Sequence, residues 1–353
     1  MPAVAPPLAV YTDTEGVDYE PGARILGAAG FAVLHLGTLD PVEITAGAAN
    51  AVALLVGYAE ITAEMMDAMP RLRVISLLSM GFNNVDVNAA AARGIWVANI
   101  PGAATEEVAT HAMALALGLT RGISYYGRSS QDGRWDSRDT LMQRRLSLCT
   151  LGVVGLGRIG ARFAAMASGI FATVIGYDPG LPDTAKVNDE LASLGIRRTT
   201  LDEVQQDSDV LSLHLPLLPS TEGMIDGAFL AGMKQGSFLI NVSRGALIDG
   251  RALRAAVESG HLAGAGLDVL DEEPPGPSHP LLGNDRILIT PHIAYLSEYT
   301  EGEYIRQQAH NVVAWLTKGR PHSPVTEHVA GPDVVEHRLC PVNRLNTAQA
   351  AGS

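Results

Sequence analysis

Three side chains of types that bind carboxylates and transfer protons follow three short apolar runs in the last third of the chain. With the runs that they follow, they are Arg244 after 238–242, Glu273 after 264–269 and His292 after 286–290. A guanidinium can hold a carboxylate and polarise a neighbouring carbonyl with its fork of donors. A histidine can transfer a proton, and a carboxylate on its other ring nitrogen favours the protonated ring. With a hydride donor, this set could reduce a 2-oxo acid.

Position alone leaves a simpler interpretation open for each of these residues. Arg244 could form a surface salt bridge, and His292 could be a capped or surface histidine. Asp271 and Glu272, beside Glu273, are expected to face solvent. The functional interpretation depends on the carboxyl ends of parallel strands meeting at one edge of a sheet, where open α/β sheets bind their ligands.

A glycine-rich turn earlier in the chain predicts a site for the hydride donor. It reads Gly155-Leu156-Gly157-Arg158-Ile159-Gly160, between an apolar run and a helical pattern. The first glycine allows a tight turn, the second lets a pyrophosphate approach the backbone, and the third lets helix and strand pack closely. The next apolar run ends in Asp178, whose carboxylate can accept both ribose hydroxyls and repel a 2′-phosphate. The pattern predicts NAD in preference to NADP, with Arg158 contacting phosphate or solvent. The alternative is a turn and a surface aspartate that coincide by chance.

Apolar runs alternate with helical stretches twice along the chain. The first series is 8–11, 31–36, 52–56, 74–78 and 95–98, and the second is 148–154, 173–177, 210–215, 238–242, 264–269 and 286–290. Helical spacing appears at 106–119 and 301–315. This alternation predicts the α/β class with two doubly wound parallel-sheet domains. We expect a Rossmann-type NAD domain at 114–302, inserted in a flavodoxin-like substrate domain formed by 1–113 and 303–330, with a flexible tail at 331–353.

The composition is typical of a packed enzyme rather than of a nucleic-acid-binding protein. The chain is 47% hydrophobic and 18% charged, and its net charge is −13 without a basic stripe, so DNA or RNA binding is not expected. Its two cysteines, Cys149 and Cys340, lack metal-ligand spacing, so no metal is expected. No signal-peptide pattern or membrane-length apolar span occurs. We therefore expect a cytoplasmic protein without membrane contact.

Together these stretches resemble the D-isomer-specific 2-hydroxyacid dehydrogenase family over residues 5–325. The turn at 155–160 and the segments 241–245, 267–274 and 290–292 occur in that family's order and spacing. The resemblance implies NAD as cofactor and a catalytic set in which Arg244 binds substrate, Glu273 orients the histidine and His292 transfers the proton.

The resemblance also implies a wider set of contacts. Cofactor contacts are implied for Gly155, Gly157, Arg158, Ile159, Gly160, Asp178, His214, Pro216, Thr221, Val242, Ser243, Asp268 and His292. Substrate contacts are implied for Ser79, Met80, Gly81, Phe82, Arg244 and Tyr295. Within these sets, Asp268 would contact the nicotinamide carboxamide. Without the resemblance, His214 is a packed residue at a strand end and residues 79–86 are a turn.

Two positions depart from the family's pattern. Thr110 stands where the family usually has an acidic residue, and Tyr295 stands where most members have a small one. The C-terminal-binding-protein subgroup of corepressors has an aromatic residue at the second position, so an NAD(H)-sensing scaffold protein is an alternative. A dehydrogenase of a non-carboxylate oxyanion such as phosphite is another, although phosphite dehydrogenases carry Lys where Met80 stands. Formate dehydrogenases carry Gln at the position of Glu273.

We predict an NAD-dependent oxidoreductase that transfers a hydride between NAD(H) and a small-molecule 2-oxo or 2-hydroxy acid. Met80, Phe82 and Tyr295 favour a substrate with an apolar or aromatic side chain. The resemblance implies a homodimer, with the helix at 106–119 either in the interface or acting as an internal hinge.

Overall fold

The computed structural model describes residues 5–14, 16–135 and 143–326. These residues form two compact units. The first contains the described residues up to Ala104 and those from Leu296 onward, and the second contains those from Thr105 to Tyr295. The domain limits expected after residues 113 and 302 stay a prediction. The expected tail at 331–353, with Cys340, lies outside the described residues.

The first unit is built on a five-stranded parallel sheet. Its strands are β1 (Leu8–Tyr11), β2 (Ala32–His35), β3 (Ala53–Val56), β4 (Val74–Leu77) and β5 (Trp96–Ala98). The helices between them are α1 (Glu20–Ala28), α2 (Pro41–Gly47), α3 (Ala63–Asp67) and α4 (Val87–Ala92). The strand order β2-β1-β3-β4-β5 is that of a flavodoxin-like sheet. Because helices cover both faces, β3 and β4 are buried along their whole length.

The second unit is built on a seven-stranded parallel sheet. Its helices are α5 (Thr105–Thr120), α6 (Ile123–Gln131), α7 (Arg158–Ala167), α8 (Ala185–Ser193), α9 (Leu201–Asp207), α10 (Gly227–Gly232) and α11 (Gly250–Glu258). Its strands are β6 (Thr150–Val154), β7 (Thr173–Tyr177), β8 (Ile196–Arg198), β9 (Val210–Leu213), β10 (Ser237–Asn241), β11 (Leu262–Leu267) and β12 (Ile287–Ile289). Short 3₁₀ turns lie at Leu146–Leu148 and Gly245–Leu247, and α12 (Thr300–Lys318) returns the chain to the first unit.

The strand order of the second sheet is β12-β11-β10-β9-β6-β7-β8, which contains the Rossmann order around a switch point between β6 and β9. The two sheets confirm the predicted fold class. Each predicted apolar run contains a strand or most of one. The edge strand β8 has a single apolar residue, Ile196, followed by Arg197 and Arg198, so the pattern of apolar runs did not predict this strand.

Helix α5 buries its apolar side chains inside the second unit. Val108, Met113 and Leu115 are buried, and the helix packs on α7, β10 and β11. The apolar periodicity of this helix is therefore explained by packing within one chain. Among the described helices, none combines the length and the apolar composition needed to cross a bilayer.

Candidate active site

The glycine-rich turn follows β6 and depends on three different properties of its glycines. Gly155 has a φ of +93°, and a Cβ on it would lie 2.3 Å from the carbonyl oxygen of His214. A Cβ on Gly160 would lie 1.9 Å from the carbonyl oxygen of Gly155, so only glycine allows this approach of helix to turn. A Cβ on Gly157 would meet nothing within 4 Å. The backbone at Gly157 is thus open to a ligand.

Helix α7 begins at Gly157 without a side-chain cap, whereas α8 to α11 begin at the capping side chains of Thr184, Thr200, Asp226 and Asp249. Its first hydrogen bond within the helix runs from the Ala161 N–H to the Gly157 carbonyl. The earlier N–H groups of a helix have no partner inside it, and they carry the positive end of its dipole. The pyrophosphate of a dinucleotide fits these donors. Arg158, at the first helical position, is exposed, and Ile159 is half-buried.

Asp178 comes directly after β7 and is 7% exposed. Its Oδ2 accepts the Leu156 N–H at 2.8 Å, and its Oδ1 accepts the Gly180 N–H at 2.8 Å. A carboxylate oxygen can accept two hydrogen bonds, so each oxygen keeps capacity for a ribose hydroxyl. The residues of the turn therefore fit a dinucleotide with free ribose hydroxyls.

His214 comes directly after β9 and packs its ring on Phe163 with the ring centroids 5.1 Å apart. Its Nε2 lies 2.9 Å from the Ser212 hydroxyl. The residue keeps some exposed surface, but its Nδ1 is enclosed and has no hydrogen-bond partner among the described residues. Burial lowers the pKa of His214 to about 3. The imidazole is therefore neutral at physiological pH.

The state of His214 predicts a dependence of stability on pH. In the unfolded chain a histidine has a pKa of about 6.5, so between pH 6.5 and about 3 the unfolded state binds more protons. The free energy of unfolding should fall on acidification by about 1.4 kcal/mol per pH unit in this window, or about 2 kcal/mol at pH 5. Denaturant unfolding of His214→Leu at pH 7.5, 6 and 5 should show a smaller decrease than the wild type.

The control for this measurement is His310→Leu, because His310 is exposed on α12. This variant should follow the wild-type decrease. A decrease in His214→Leu as steep as that of the wild type would show that His214 does not resist protonation in the folded state.

Two further residues expected at the cofactor lie in the turn after β9. Pro216 is exposed, and the Thr221 hydroxyl donates to the Pro216 carbonyl at 2.8 Å. The same hydroxyl accepts the Leu218 N–H at 2.8 Å. Thr221 thus closes this turn.

Arg244 lies in a loop whose backbone is fixed by hydrogen bonds to the side chain of Asn241, the last residue of β10. The buried Asn241 amide donates to the Arg244 carbonyl at 2.8 Å and accepts the Ser243 N–H at 3.0 Å. The Ser243 hydroxyl donates to the Leu213 carbonyl at 2.8 Å, and Val242 is buried. The guanidinium donates through Nη1 to the Ser243 carbonyl at 2.7 Å. The loop that presents Arg244 is therefore anchored to two strands.

Glu273 and His292 form a hydrogen-bonded pair. Glu273 Oε2 lies 2.6 Å from His292 Nδ1, and Glu273 Oε1 accepts the Leu270 N–H at 2.7 Å. Burial alone would raise the pKa of Glu273. Hydrogen bonds from His292 and the Leu270 N–H, with the positive charges of His292 and Arg244, lower this pKa by more, so it lies below its ordinary value. The carboxylate therefore stays charged and fixes one nitrogen of the histidine.

Asp271, expected to face solvent, is largely exposed and nevertheless accepts a hydrogen bond. His279 Nε2 lies 2.9 Å from Asp271 Oδ1, and His279 Nδ1 accepts the Leu281 N–H at 3.3 Å. Since Nδ1 accepts, Nε2 carries the proton and donates to Asp271. This contact closes the loop that carries Glu273.

Asp268, at the end of β11, is 1% exposed and accepts donors from the loop that carries His292. Its Oδ1 accepts the Thr290 hydroxyl at 2.6 Å and the Ile293 N–H at 3.0 Å, and its Oδ2 accepts the Ala294 N–H at 2.8 Å. Three of its four acceptor positions are thus used within the protein. Only one acceptor position, on Oδ2, is left for the contact with the nicotinamide carboxamide that the family resemblance implies.

In the first unit, residues 79–84 follow β4 and form a turn at the carboxyl edge of the sheet. The Ser79 hydroxyl donates to the Gly81 carbonyl at 2.7 Å, and the Asn99 amide donates to the Met80 carbonyl at 2.7 Å. Within the described ranges, the N–H groups of Met80 and Gly81 have no acceptor in the protein. Phe82 is exposed. The turn therefore offers two backbone donors beside an aromatic side chain.

The second unit matches a known family. Residues 113–294 match the family model described as D-isomer specific 2-hydroxyacid dehydrogenase, NAD binding domain. The glyoxylate reductase of Korarchaeum cryptofilum is 35% identical over 272 residues, which are 76% of this chain and 80% of that protein. The chain belongs to the D-isomer specific 2-hydroxyacid dehydrogenase family. It is an oxidoreductase with an NAD-binding domain.

Other members of the family differ in length and in name. The D-3-phosphoglycerate dehydrogenase of Archaeoglobus fulgidus is 37% identical over 67% of this chain, but the match spans only 44% of that protein. The solved structure of D-lactate dehydrogenase from Aquifex aeolicus, complexed with NAD and lactic acid, has a TM-score of 0.78 at 28% identity. That comparison covers 92% of this chain and 100% of the other.

In this member of the 2-hydroxyacid dehydrogenase family, the residues predicted from sequence lie in both units. The turn at 155–160, Asp178, His214, Arg244, Asp268, Glu273 and His292 are in the second, with Tyr295 as its last residue, half-buried. The turn at 79–82 is in the first. Sequence reasoning missed the role of Asn241. The available signal was a polar side chain at the end of an apolar strand.

Proposed function

We propose that this dehydrogenase reduces a 2-oxo acid to the 2-hydroxy acid with NADH, and catalyses the reverse reaction with NAD. The observation that carries this proposal is the hydrogen-bonded pair of Glu273 and His292. The pair lies in the same unit as the dinucleotide turn and the anchored Arg244 loop. When bound, NADH supplies the hydride that the substrate carbonyl carbon gains.

Three side chains have distinct roles in the proposed reaction. Arg244 binds the substrate carboxylate and polarises the carbonyl oxygen. His292, with Nδ1 facing Glu273, has Nε2 to give a proton to that oxygen as the hydride arrives at carbon. The Glu273 carboxylate stabilises the charged ring before the transfer. In the oxidative direction the same nitrogen takes the hydroxyl proton.

We also propose that NADH is preferred over NADPH. Asp178 is buried, and the two oxygens of its carboxylate keep acceptor capacity for ribose hydroxyls. A 2′-phosphate at this place would meet a like charge. From the first unit, we propose that the N–H groups of Met80 and Gly81 bind the substrate carboxylate, with Ser79 bracing their turn.

The identity of the substrate side chain is a further proposal. Met80, Phe82 and Tyr295 favour an apolar or aromatic group, whereas the relatives are named for glyoxylate, 3-phosphoglycerate and lactate. A panel that includes these acids in their oxo forms, with branched and aromatic 2-oxo acids and phosphite, tests the proposal at the absorbance of NADH. Each 2-oxo acid is assayed with NADH and with NADPH, and phosphite, which can only give up a hydride, is assayed with NAD and with NADP.

We expect turnover of at least one 2-oxo acid, faster with NADH than with NADPH, and fastest with a branched or aromatic acid. Glyoxylate as by far the best substrate would refute the apolar preference alone. The absence of turnover with every acid, together with NADH-dependent capture of a protein partner, would refute the enzymatic proposal and favour the scaffold alternative.

We propose that the protein is a homodimer, as the family resemblance implies. The packing of α5 inside its own unit leaves few of its apolar side chains for a partner. Among the described residues between α5 and β6, the exposed large apolar side chains are Ile123, Trp135 and Leu148. These side chains are the better candidates for the interface. The molar mass of the full chain in solution tests the homodimer.

A further inference from the structure

A histidine outside the proposed catalytic set ends a chain of hydrogen bonds that leads to the loop of His292. His111, on α5, has its Nε2 2.9 Å from the Thr290 hydroxyl oxygen. Because the Thr290 hydroxyl donates to Asp268 Oδ1 at 2.6 Å, its oxygen is the acceptor toward His111. His111 Nε2 therefore carries a proton, and it lies 3.5 Å from Asp268 Oδ1 as well.

The loop to which these hydrogen bonds lead holds His292 in an unusual conformation. His292 has a φ of +54°, and it is the one residue other than glycine with a positive φ among those described. Its N–H donates to the Asp268 carbonyl at 2.8 Å, and the two residues that follow it donate to the Asp268 carboxylate. A left-handed histidine persists only where its surroundings fix the backbone on both sides. Asp268 provides this restraint.

Helix α5 delivers His111 to this place through a stripe along one of its faces. His111, Leu115 and Leu119 are spaced four residues apart, so they lie on the same face. A Cβ on Gly266 of β11 would lie 3.0 Å from Leu119 Cδ1 and 3.1 Å from Leu115 Cβ. The helix therefore lies directly on β11, the strand that Asp268 follows. On this face of α5 the two leucines approach β11, and His111 lies near Asp268, which follows the strand.

The amino end of α5 is fixed to α7, the helix that follows the glycine-rich turn. Arg162 of α7 donates to both carboxylate oxygens of Glu106, at 2.6 and 2.9 Å. This two-bond contact is the strong form of an arginine–carboxylate pair. The position of His111 is thus set by the strand beneath α5 and by the helix beside it.

We propose that His111 is a positioning residue for proton transfer by His292, acting through Thr290 and Asp268. This inference rests on the proposed function. By donating to Thr290, His111 fixes the rotamer in which the Thr290 hydroxyl donates to Asp268. The Asp268 carboxylate then faces the N–H groups that hold the left-handed turn at His292. Loss of the imidazole frees the Thr290 hydroxyl to rotate and loosens this turn.

The experiment compares His111→Leu with His111→Gln and with Thr290→Val. Glutamine can place an N–H donor where Nε2 lies, whereas leucine fills space without donating. We expect kcat for the best 2-oxo acid to fall roughly ten- to a hundred-fold in His111→Leu and in Thr290→Val, since small misplacements of reacting groups have effects of this size. His111→Gln should recover most of the loss. The dissociation constant for NADH, from fluorescence titration, should change less than three-fold.

The double variant His111→Leu/Thr290→Val decides whether the two residues act through the same series of hydrogen bonds. We expect its kcat to equal that of either single variant, because both interrupt the same contact. Multiplied losses in the double variant would overturn the proposal, as would a wild-type kcat in His111→Leu. Equal losses in the Leu and Gln variants with matching losses of thermal stability would show a purely structural role, and would also overturn it.

Wild type and His292→Ala are assayed beside these variants. A wild type without turnover refutes the proposed function itself. An active wild type, an inactive His292→Ala and an unaffected His111→Leu refute only the role of His111.

Discussion

Replacing His292 by alanine should lower kcat for the best 2-oxo acid by about 10²- to 10⁴-fold, the usual contribution of a positioned acid–base group. The residue at position 292 would then have no proton to give to the carbonyl oxygen as the hydride arrives at carbon. NADH binding should stay close to wild type, because the turn at 155–160 and Asp178 are held by other elements. Steady-state kinetics and a fluorescence titration with NADH measure the two effects separately.

Glu273→Gln is the companion variant. Its side-chain oxygen can still accept the Leu270 N–H, but its amide then donates toward His292 Nδ1 and opposes the doubly protonated ring. We expect kcat to fall by about 10- to 100-fold, within the range for partial loss of acid–base assistance. Because the pKa of Glu273 is below its ordinary value, the native charge persists to more acidic pH than that of a free glutamate, so the loss should extend over the whole assay range.

The matched control is Glu272→Gln, which removes a neighbouring exposed carboxylate. It should keep wild-type kcat. Turnover in His292→Ala within a few-fold of wild type would remove His292 from the mechanism. A fall in Glu272→Gln equal to that in Glu273→Gln would mean that general negative charge, rather than the contact with His292, matters.

The strands that carry the proposed chemistry could be predicted because their sequences repeat one physical pattern. β9 and β10 are buried along their whole length, so each reads as a mostly apolar run that ends at the carboxyl edge of the sheet. The polar residues just beyond such runs, Arg244 among them, could then be assigned to that edge. β8 escaped prediction because an edge strand needs only one buried residue to pack.

The contacts of Asp268 and His111 could not be predicted, because they join segments far apart in sequence. The apolar runs locate Asp268 at a strand end but do not say which donors surround its carboxylate. Three of these donors come from residues 290–294, and their arrangement depends on the left-handed turn at His292. Nothing in the local sequence requires that turn, since a positive φ is uncommon for any residue other than glycine. Only the packing of β11 against α5 brings these groups together.

The second large effect is expected from Gly245→Ala. A Cβ on Gly245 would lie 1.9 Å from the carbonyl carbon of Leu270 and 2.2 Å from the nitrogen of Asp271. These are backbone atoms, so the loop at 270–273 must move away. Glu273, which the Leu270 N–H holds, would move with this loop, so the methyl group would separate Glu273 from the neighbouring loop of Arg244. We expect kcat/KM to fall by about 10²-fold or more, and the free energy of unfolding to fall by about 1–3 kcal/mol from overpacking.

Gly169→Ala in the same unit is the control, since a Cβ there would meet nothing within 4 Å and its φ is not positive. It should leave both kcat/KM and the free energy of unfolding near wild type. The comparison separates two effects of a methyl group: in both variants the unfolded chain loses some freedom, but only in Gly245→Ala is the folded backbone displaced. If Gly245→Ala matched Gly169→Ala in kcat/KM, the loops of Arg244 and Glu273 could shift apart without harm. The close approach at Gly245 would then be irrelevant to catalysis.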